Sequence, residues 1–214
     1  MPSIRSAALT TADATAAWTA IVLTGGSGSR LGGRNKAEVV LGEATLLEHV
    51  LQGLPPGVNV VVVGPEPTAP SRTVIVTRES PAGGGPVAAL AAGLQLVTTP
   101  LVGVIATDMP FASSLLAGLI ATIPPEADAL VPLDATGRRQ SLCAAYRSAA
   151  LHRAVQSLGI VENASLRSLI EHLAIAETTT ARPADLEDID TPSDLDRSQA
   201  IMRVTKGTST WMTG

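Results

Sequence analysis

The stretch VLTGGSGSRLGGRNK, Val22 to Lys36, decides the fold. It closes the apolar run TAIVLTG (19–25), spends five of its fifteen residues on glycine, and places Arg30 within the loop and Lys36 at its end. A short, unbroken apolar run stopped by glycines reads as a strand buried on both faces. Glycines after such a strand let backbone N–H groups turn toward an anion with no Cβ in the way. The two commonest loops of this kind fail on spacing. A Walker A loop needs GxxxxGK[ST], but here Lys36 precedes Ala37. A dinucleotide fingerprint needs glycine where Leu31 stands, and no acid closes the second strand at Val63-Gly64.

Outward from this loop the chain alternates. ATLLEHVLQGL (44–54) has helical apolar spacing and ends at Pro55-Pro56-Gly57, and VNVVVVG (58–64) and TVIVT (73–77) read as strands. PVAALAAGLQLV (86–97) is a helix opened by Pro86, and PLVGVIATDMP (100–110) is a strand running into an acid. A helix over 114–123, strands over 127–133 and 141–147, and helices over 148–158 and 164–173 follow, with a last helix starting near Pro192. Strands alternating with helices predict a mostly parallel sheet covered on both faces, a three-layer, Rossmann-like α/β/α architecture in one domain. Residues 18–200 form that domain, between a loose N-terminal tail (1–17) and a polar C-terminal tail (201–214).

Composition narrows the function. The chain has 214 residues, 45% of them hydrophobic and 16% charged, enough for one sizeable core. Aromatics are only 2%, so Val, Leu, Ile and Ala must fill it. A net charge of −4 argues against nucleic acid as a partner, and no apolar run reaches membrane-spanning length. Any anionic ligand must be met by a local cluster of donors. The single cysteine, Cys143 in SLCAAY, reads as buried packing, and its lack of a partner fits a reducing cytoplasm. His49, His152 and His172 lack metal-ligand spacing and read as helix-surface residues.

Three further motifs lie along the chain after this loop. TDMP (107–110) ends the fourth strand, where open α/β sheets bind ligands, and Asp108 offers a hard carboxylate suited to a divalent ion. As a helix cap it would be redundant with Ser113 or Ser114. RESPAGGGPVAALAAGL (78–94) sets three glycines before a helix whose positive end faces the cleft. DIDTPSDL (188–195) starts a helix at Pro192 with Thr191 as its N-cap and leaves Asp188 and Asp190 beside it.

Together with GGxxxRxGGxxK (25–36), these motifs resemble the molybdenum cofactor guanylyltransferase family, nucleotidyltransferases that join an NTP to a phosphorylated acceptor. The resemblance spans roughly residues 19–198. It implies Arg30, Lys36 and Asp108 as catalytic residues, with Asp108 holding Mg²⁺. It implies a nucleotide site formed by Leu23, Thr24, Gly25, Gly26, Lys36, Glu79, Gly85, Pro86 and Asp108. GTP and a phosphorylated pterin acceptor are the implied substrates, with proteins of molybdoenzyme maturation as partners. Asp188 and Asp190 are candidates for completing the metal site, and Arg138 and Arg139 for meeting the acceptor phosphate.

The chain departs from the family pattern at several points. Glu79 stands where the family usually has aspartate, Asn35 where an aspartate precedes the lysine, Thr107 for a frequent cysteine, and Ser193 for an acid. Asp188 and Asp190 look more like the cytidylyl-transferring relatives. A cytidylyl or other nucleotidyl transfer on the same fold, and a non-catalytic nucleotide-binding relative, are the alternative readings.

Overall fold

Strand β1 (Trp18–Leu23) lies near the middle of a seven-stranded sheet, and all six of its residues are buried. The computed structural model describes residues 18–25 and 35–209. Arg30 and Gly26, with the other glycines of residues 26–34, therefore lie outside the described residues, as do the tail over 1–17 and residues 210–214.

A small hairpin, β2 (Val40–Leu41) and β3 (Ala44–Thr45), precedes helix α1 (Leu46–Gly53). Then come β4 (Asn59–Val63), β5 (Ile75–Thr77), α2 (Gly85–Leu94) and β6 (Leu101–Ala106). The second half runs α3 (Leu116–Thr122), β7 (Ala129–Leu133), β8 (Cys143–Arg147), α4 (Ser148–Leu158), α5 (Leu166–Ile170), β9 (Ile175–Thr179) and α6 (Pro192–Ser209). The sheet order is β5-β4-β1-β6-β8-β7-β9. All of its pairs are parallel except the two made by β8, which runs antiparallel to β6 and β7.

Alternation along each strand divides the core between the two faces. Ala20 and Val22 of β1, Val60 and Val62 of β4 and Ile105 of β6 pack against α1 and α3. Ile21 and Leu23, Val61 and Val63, and Val102 and Val104 pack against α2, α4 and α5. Each fully buried side chain of this size is worth about 1.5–3 kcal/mol, which is why a chain with so few aromatics can still hold the sheet. Helix α2 lies close on β1 and β4 because of Gly93. A Cβ there would come within 2.8 Å of Val63 Cγ2 and 2.9 Å of Ile21 Cγ2. At its other end α2 brings Gly85 and Pro86 to the carboxyl edge of the sheet.

The expected elements appear with ends shifted by a few residues, and four features differ from the sequence reading. The hairpin β2–β3 and strand β9 were not anticipated: strands of two residues carry no period, and IAETT alternates too weakly to separate from a loop. The last helix continues to Ser209, nine residues past the expected end of the domain. His49 is no simple surface residue either. It is half-buried on α1, and its Nε2 lies 2.7 Å from Leu41 O, tying the hairpin to the helix.

Candidate active site

The strand order reverses between β1 and β6: β4 and β5 extend to one side of β1, and the later strands lie beyond β6. Open α/β sheets bind ligands at the carboxyl edge of such a reversal. Here that edge carries a cleft of about 600 Å³. Thr24 and Thr107 fix its floor. Thr24 N and Oγ1 both donate to Val63 O (3.0 and 2.9 Å), and Thr107 N and Oγ1 both donate to Leu23 O (3.0 and 3.2 Å). Each threonine thus extends the sheet by one residue with its side chain buried.

Seven of the residues singled out from sequence line this one cleft: Leu23, Thr24, Gly25, Glu79, Gly85, Pro86 and Asp108. They come from β1, from the loop before α2 and from the end of β6, positions far apart in the chain. Glu79 Oε1 accepts a hydrogen bond from Gly83 N (2.9 Å), which ties down the glycine loop ahead of α2. Asn35, Gly64, Pro65, Arg78 and Leu142 also line the cleft; Asn35 and Arg78 fall within motifs read from the sequence, but none of the five was assigned a site role there.

Gly64 sits at φ +145°, and a Cβ there would fall 1.9 Å from Thr24 Oγ1. Gly64→Ala therefore strains the backbone and displaces the Thr24 hydroxyl from Val63 O. A stability loss of about 1–3 kcal/mol is expected in urea unfolding.

Lys36 opens a short 3-10 turn (Lys36–Glu38) whose start is held by Asn35, its side chain accepting from Ala37 N at 3.2 Å. From there its ammonium reaches Asp108 Oδ2 at 2.9 Å and also hydrogen-bonds Asp190 Oδ1. The Lys36 side chain is 13% exposed. Burial works against its charge, but hydrogen bonds and charge from Asp190 and Asp108 outweigh burial, and its pKa is raised. Asp190 is brought there by packing. Ile189 is buried with Val39, Leu41 and Leu46, and its N–H donates to Asp108 O at 2.8 Å. Just beyond, Thr191 and Asp194 close a reciprocal cap on α6: Asp194 Oδ2 accepts from Thr191 N (2.9 Å) and Thr191 Oγ1 accepts from Asp194 N (3.2 Å).

Asp188 has a different environment. Its surface reaches solvent, yet protein crowds its carboxyl, and the negative charges of Asp108 and Asp190 add to that burial. Lys36 offsets them only in part, and the pKa is pushed up to about 6. The folded chain therefore holds this proton more tightly than the unfolded chain, so stability falls as pH rises from 3.8 toward about 6. Asp188→Asn removes that cost. A higher Tm is expected at about pH 7.5, with the gain shrinking as the pH approaches about 4. A Tm that drops at the higher pH would mean that the Asp188 charge is favourably held.

Among the described residues, no three His, Cys, Asp or Glu side chains gather into a preformed metal cage. Cys143 is buried, its thiol pushed up to about 12 by that burial, so it packs rather than reacts. Arg139 pairs with Glu177 on β9 at 2.6 Å. Arg138 is exposed on the turn that Asp134 organises by accepting from Thr136 N and Arg138 N. No helix of the described residues is long and apolar enough to cross a membrane.

A mostly parallel sheet, a glycine-rich sequence directly after β1 and a lysine–carboxylate cluster at the reversal point define an enzyme of the nucleotidyltransferase class. The chain belongs to the MobA-like NTP transferase domain family, whose pattern matches residues 20–178. Among solved structures it is similar to molybdopterin-guanine dinucleotide biosynthesis protein A from Archaeoglobus fulgidus, at 26% identity and a TM-score of 0.67 over 86% of this chain and 98% of that one. A nucleotidyl transferase from Methanothermobacter thermautotroptrophicus shares the fold at a TM-score of 0.69 and 20% identity, covering 88% and 98%. So does 2-C-methyl-D-erythritol 4-phosphate cytidylyltransferase from Thermus thermophilus, at 0.63 and 20%, covering 86% and 98%. Comparison with curated protein sequences gave no match.

Proposed function

We propose that this enzyme transfers GMP from GTP to the phosphate of molybdopterin, releasing pyrophosphate. The observation that carries the reading is the meeting of Lys36, Asp108 and Asp190, which adjoins the 600 Å³ cleft through Asp108, the member of the three that lines it. An ammonium has three N–H donors. Two are taken by the carboxylates, and the third remains for a phosphate oxygen.

In the reaction an oxygen of the acceptor phosphate attacks the α-phosphorus of GTP. A new P–O bond forms, the bond from the α-phosphorus to the bridge oxygen breaks, and its electron pair leaves with pyrophosphate. Both reactants bring their own anionic groups, so the chain needs no covalent nucleophile. Its task is alignment and charge neutralisation. Lys36 holds the phosphates at the reversal point, and Arg30, from the segment beyond Gly25, adds a second cation. Thr24, Gly25, Glu79, Gly85 and Pro86 hold the nucleoside.

Mg²⁺ takes one or two carboxylates and fills its shell with substrate phosphates and water, so Asp108 with Asp190 is a sufficient protein set. When bound, the ion supplies Lewis-acid stabilisation of the charge developing on the phosphate oxygens.

The guanine assignment draws on two supports. One is the likeness at 26% identity to a protein of molybdopterin-guanine dinucleotide synthesis. The other is the open space at Gly25, where an added Cβ would meet nothing within 4 Å among the described residues, so that a base can approach the backbone there. The test is kcat/KM for GTP against CTP with the molybdopterin acceptor. A GTP preference of at least about tenfold supports the reading, since each buried hydrogen-bonding group left unpaired by the wrong base costs about 1–3 kcal/mol. A CTP preference overturns the guanylyl assignment.

A further inference from the structure

We infer that Arg78 reads the nucleobase, donating to the O6 and N7 acceptors of guanine, and so sets the preference for a guanine nucleotide. The inference rests on the guanylyl reading above and deepens it. Arg78 follows the last residue of β5, and it is the one cationic side chain among the described residues that line the cleft.

The charges around it are committed. Lys36 is held by Asp108 and Asp190. Arg72, nearby in sequence, spends its guanidinium on the carbonyls of Leu51, Leu54, Pro55 and Val58 at the end of α1. The Arg78 guanidinium, by contrast, has no hydrogen-bond or ion-pair partner among the described residues, and Arg78 is exposed at the cleft rim.

Strand order says which part of a ligand it meets. Asp108 lies just beyond β6 and Arg78 just beyond β5, three strands away in the order β5-β4-β1-β6. At the usual strand spacing that is roughly 14 Å, too far for one phosphate group to touch both. With the reacting phosphate at Lys36 and Asp108, the end of the ligand that reaches Arg78 is the nucleoside. A planar fork of N–H donors matches the paired O6 and N7 acceptors of guanine, whereas adenine sets a donor beside N7 and cytosine offers a donor in the corresponding place. Arg78 therefore favours guanine and repels the others by the same groups. The neighbouring Glu79 accepts from Gly83 N, and that bond fixes the loop on which the pair sits.

The test is a cycle between the protein and the substrate atom. The wild-type enzyme, Arg78→Ala and Arg78→Gln are compared on GTP, 7-deaza-GTP (which lacks the N7 acceptor), ATP and CTP, by kcat/KM and by calorimetric binding of each nucleotide. The expected result is a fall of roughly ten- to hundredfold for GTP on Arg78→Ala, with ATP and CTP changed by less than about threefold. Replacing GTP by 7-deaza-GTP should weaken wild type but leave Arg78→Ala nearly unaffected. An equal loss for all nucleotides would make Arg78 a phosphate contact, and no loss at all would make it a solvated rim residue; either overturns the inference. A wild-type enzyme that does not prefer GTP sinks the guanylyl reading itself. A wild type that prefers GTP with an unchanged ratio in Arg78→Ala sinks only the role of Arg78. The side chain is exposed, so both variants are expected to fold, and circular dichroism is the check.

Discussion

Asp108→Asn is expected to lower transfer by at least about three orders of magnitude while leaving part of the nucleotide affinity. An amide still accepts a hydrogen bond, but it lacks the charge that holds a divalent ion. Losing about 4 kcal/mol of charge stabilisation accounts for a thousandfold change in rate. The fold should persist. Asp108 lies beyond β6 rather than within its ladder, and Lys36 keeps Asp190 as a partner. Titration of nucleotide binding with and without Mg²⁺ separates the two effects. The variant should bind GTP with little change when Mg²⁺ is added. If the Mg²⁺ dependence is unchanged, Asp108 is not the metal ligand, and Asp190 and Asp188 become the candidates.

Lys36→Ala removes the cation on which two carboxylates converge. Turnover is expected to fall by at least about two orders of magnitude, since a donor to a developing anion is lost. A second effect comes from the same geometry. Asp108 and Asp190 lose their shared partner, and Asp188 already carries the cost of two neighbouring negative charges. The free variant should therefore melt below wild type near neutral pH, and the gap should narrow in acid as the carboxylates take up protons. Lys36→Arg should restore part of the stability and little of the turnover, because a planar fork cannot replace a compact ammonium between two acids. Near-wild-type turnover in Lys36→Ala would return this residue to a purely structural role in the cluster.

Much of this arrangement was readable in the chain. TAIVLTG announced a strand buried on both faces and PLVGVIATDMP a strand running into an acid, and the structure sets them side by side at the centre. Pro86 at the start of an Ala-rich run marked a helix that does begin there, with its small residues turned onto the sheet. Seven of the nucleotide residues that the family resemblance implied do line one cleft.

What could not be read is pairing across distance. Lys36 meets Asp108 across 72 residues and Asp190 across 154, and nothing in either local pattern selects Asp190 over Asp188. That choice comes with Ile189, whose burial beside Leu41 and Leu46 and whose bond to Asp108 O pin this segment against the end of β6. The reversal of β8 was hidden for a similar reason. A strand buried on both faces reads alike in either direction, and only the chain's route through the turn around Asp134 fixes its sense. Arg78 opens the RESPAGGG motif, but the reading of that motif rested on Glu79 and the glycines, and nothing local assigns the arginine a ligand. Its meaning comes from the strand order.

Attack at the α-phosphorus is the core of the proposed mechanism, and the fate of each phosphate tests it most directly. Purified enzyme, Mg²⁺ and molybdopterin are incubated with GTP labelled on its α-phosphate, and in parallel with GTP labelled on its γ-phosphate. The mechanism predicts that the α-label appears in the pterin product and the γ-label in pyrophosphate, in equal amounts, and only when the acceptor is present. Transfer of the γ-label to the acceptor, or release of orthophosphate with no labelled product, would contradict it.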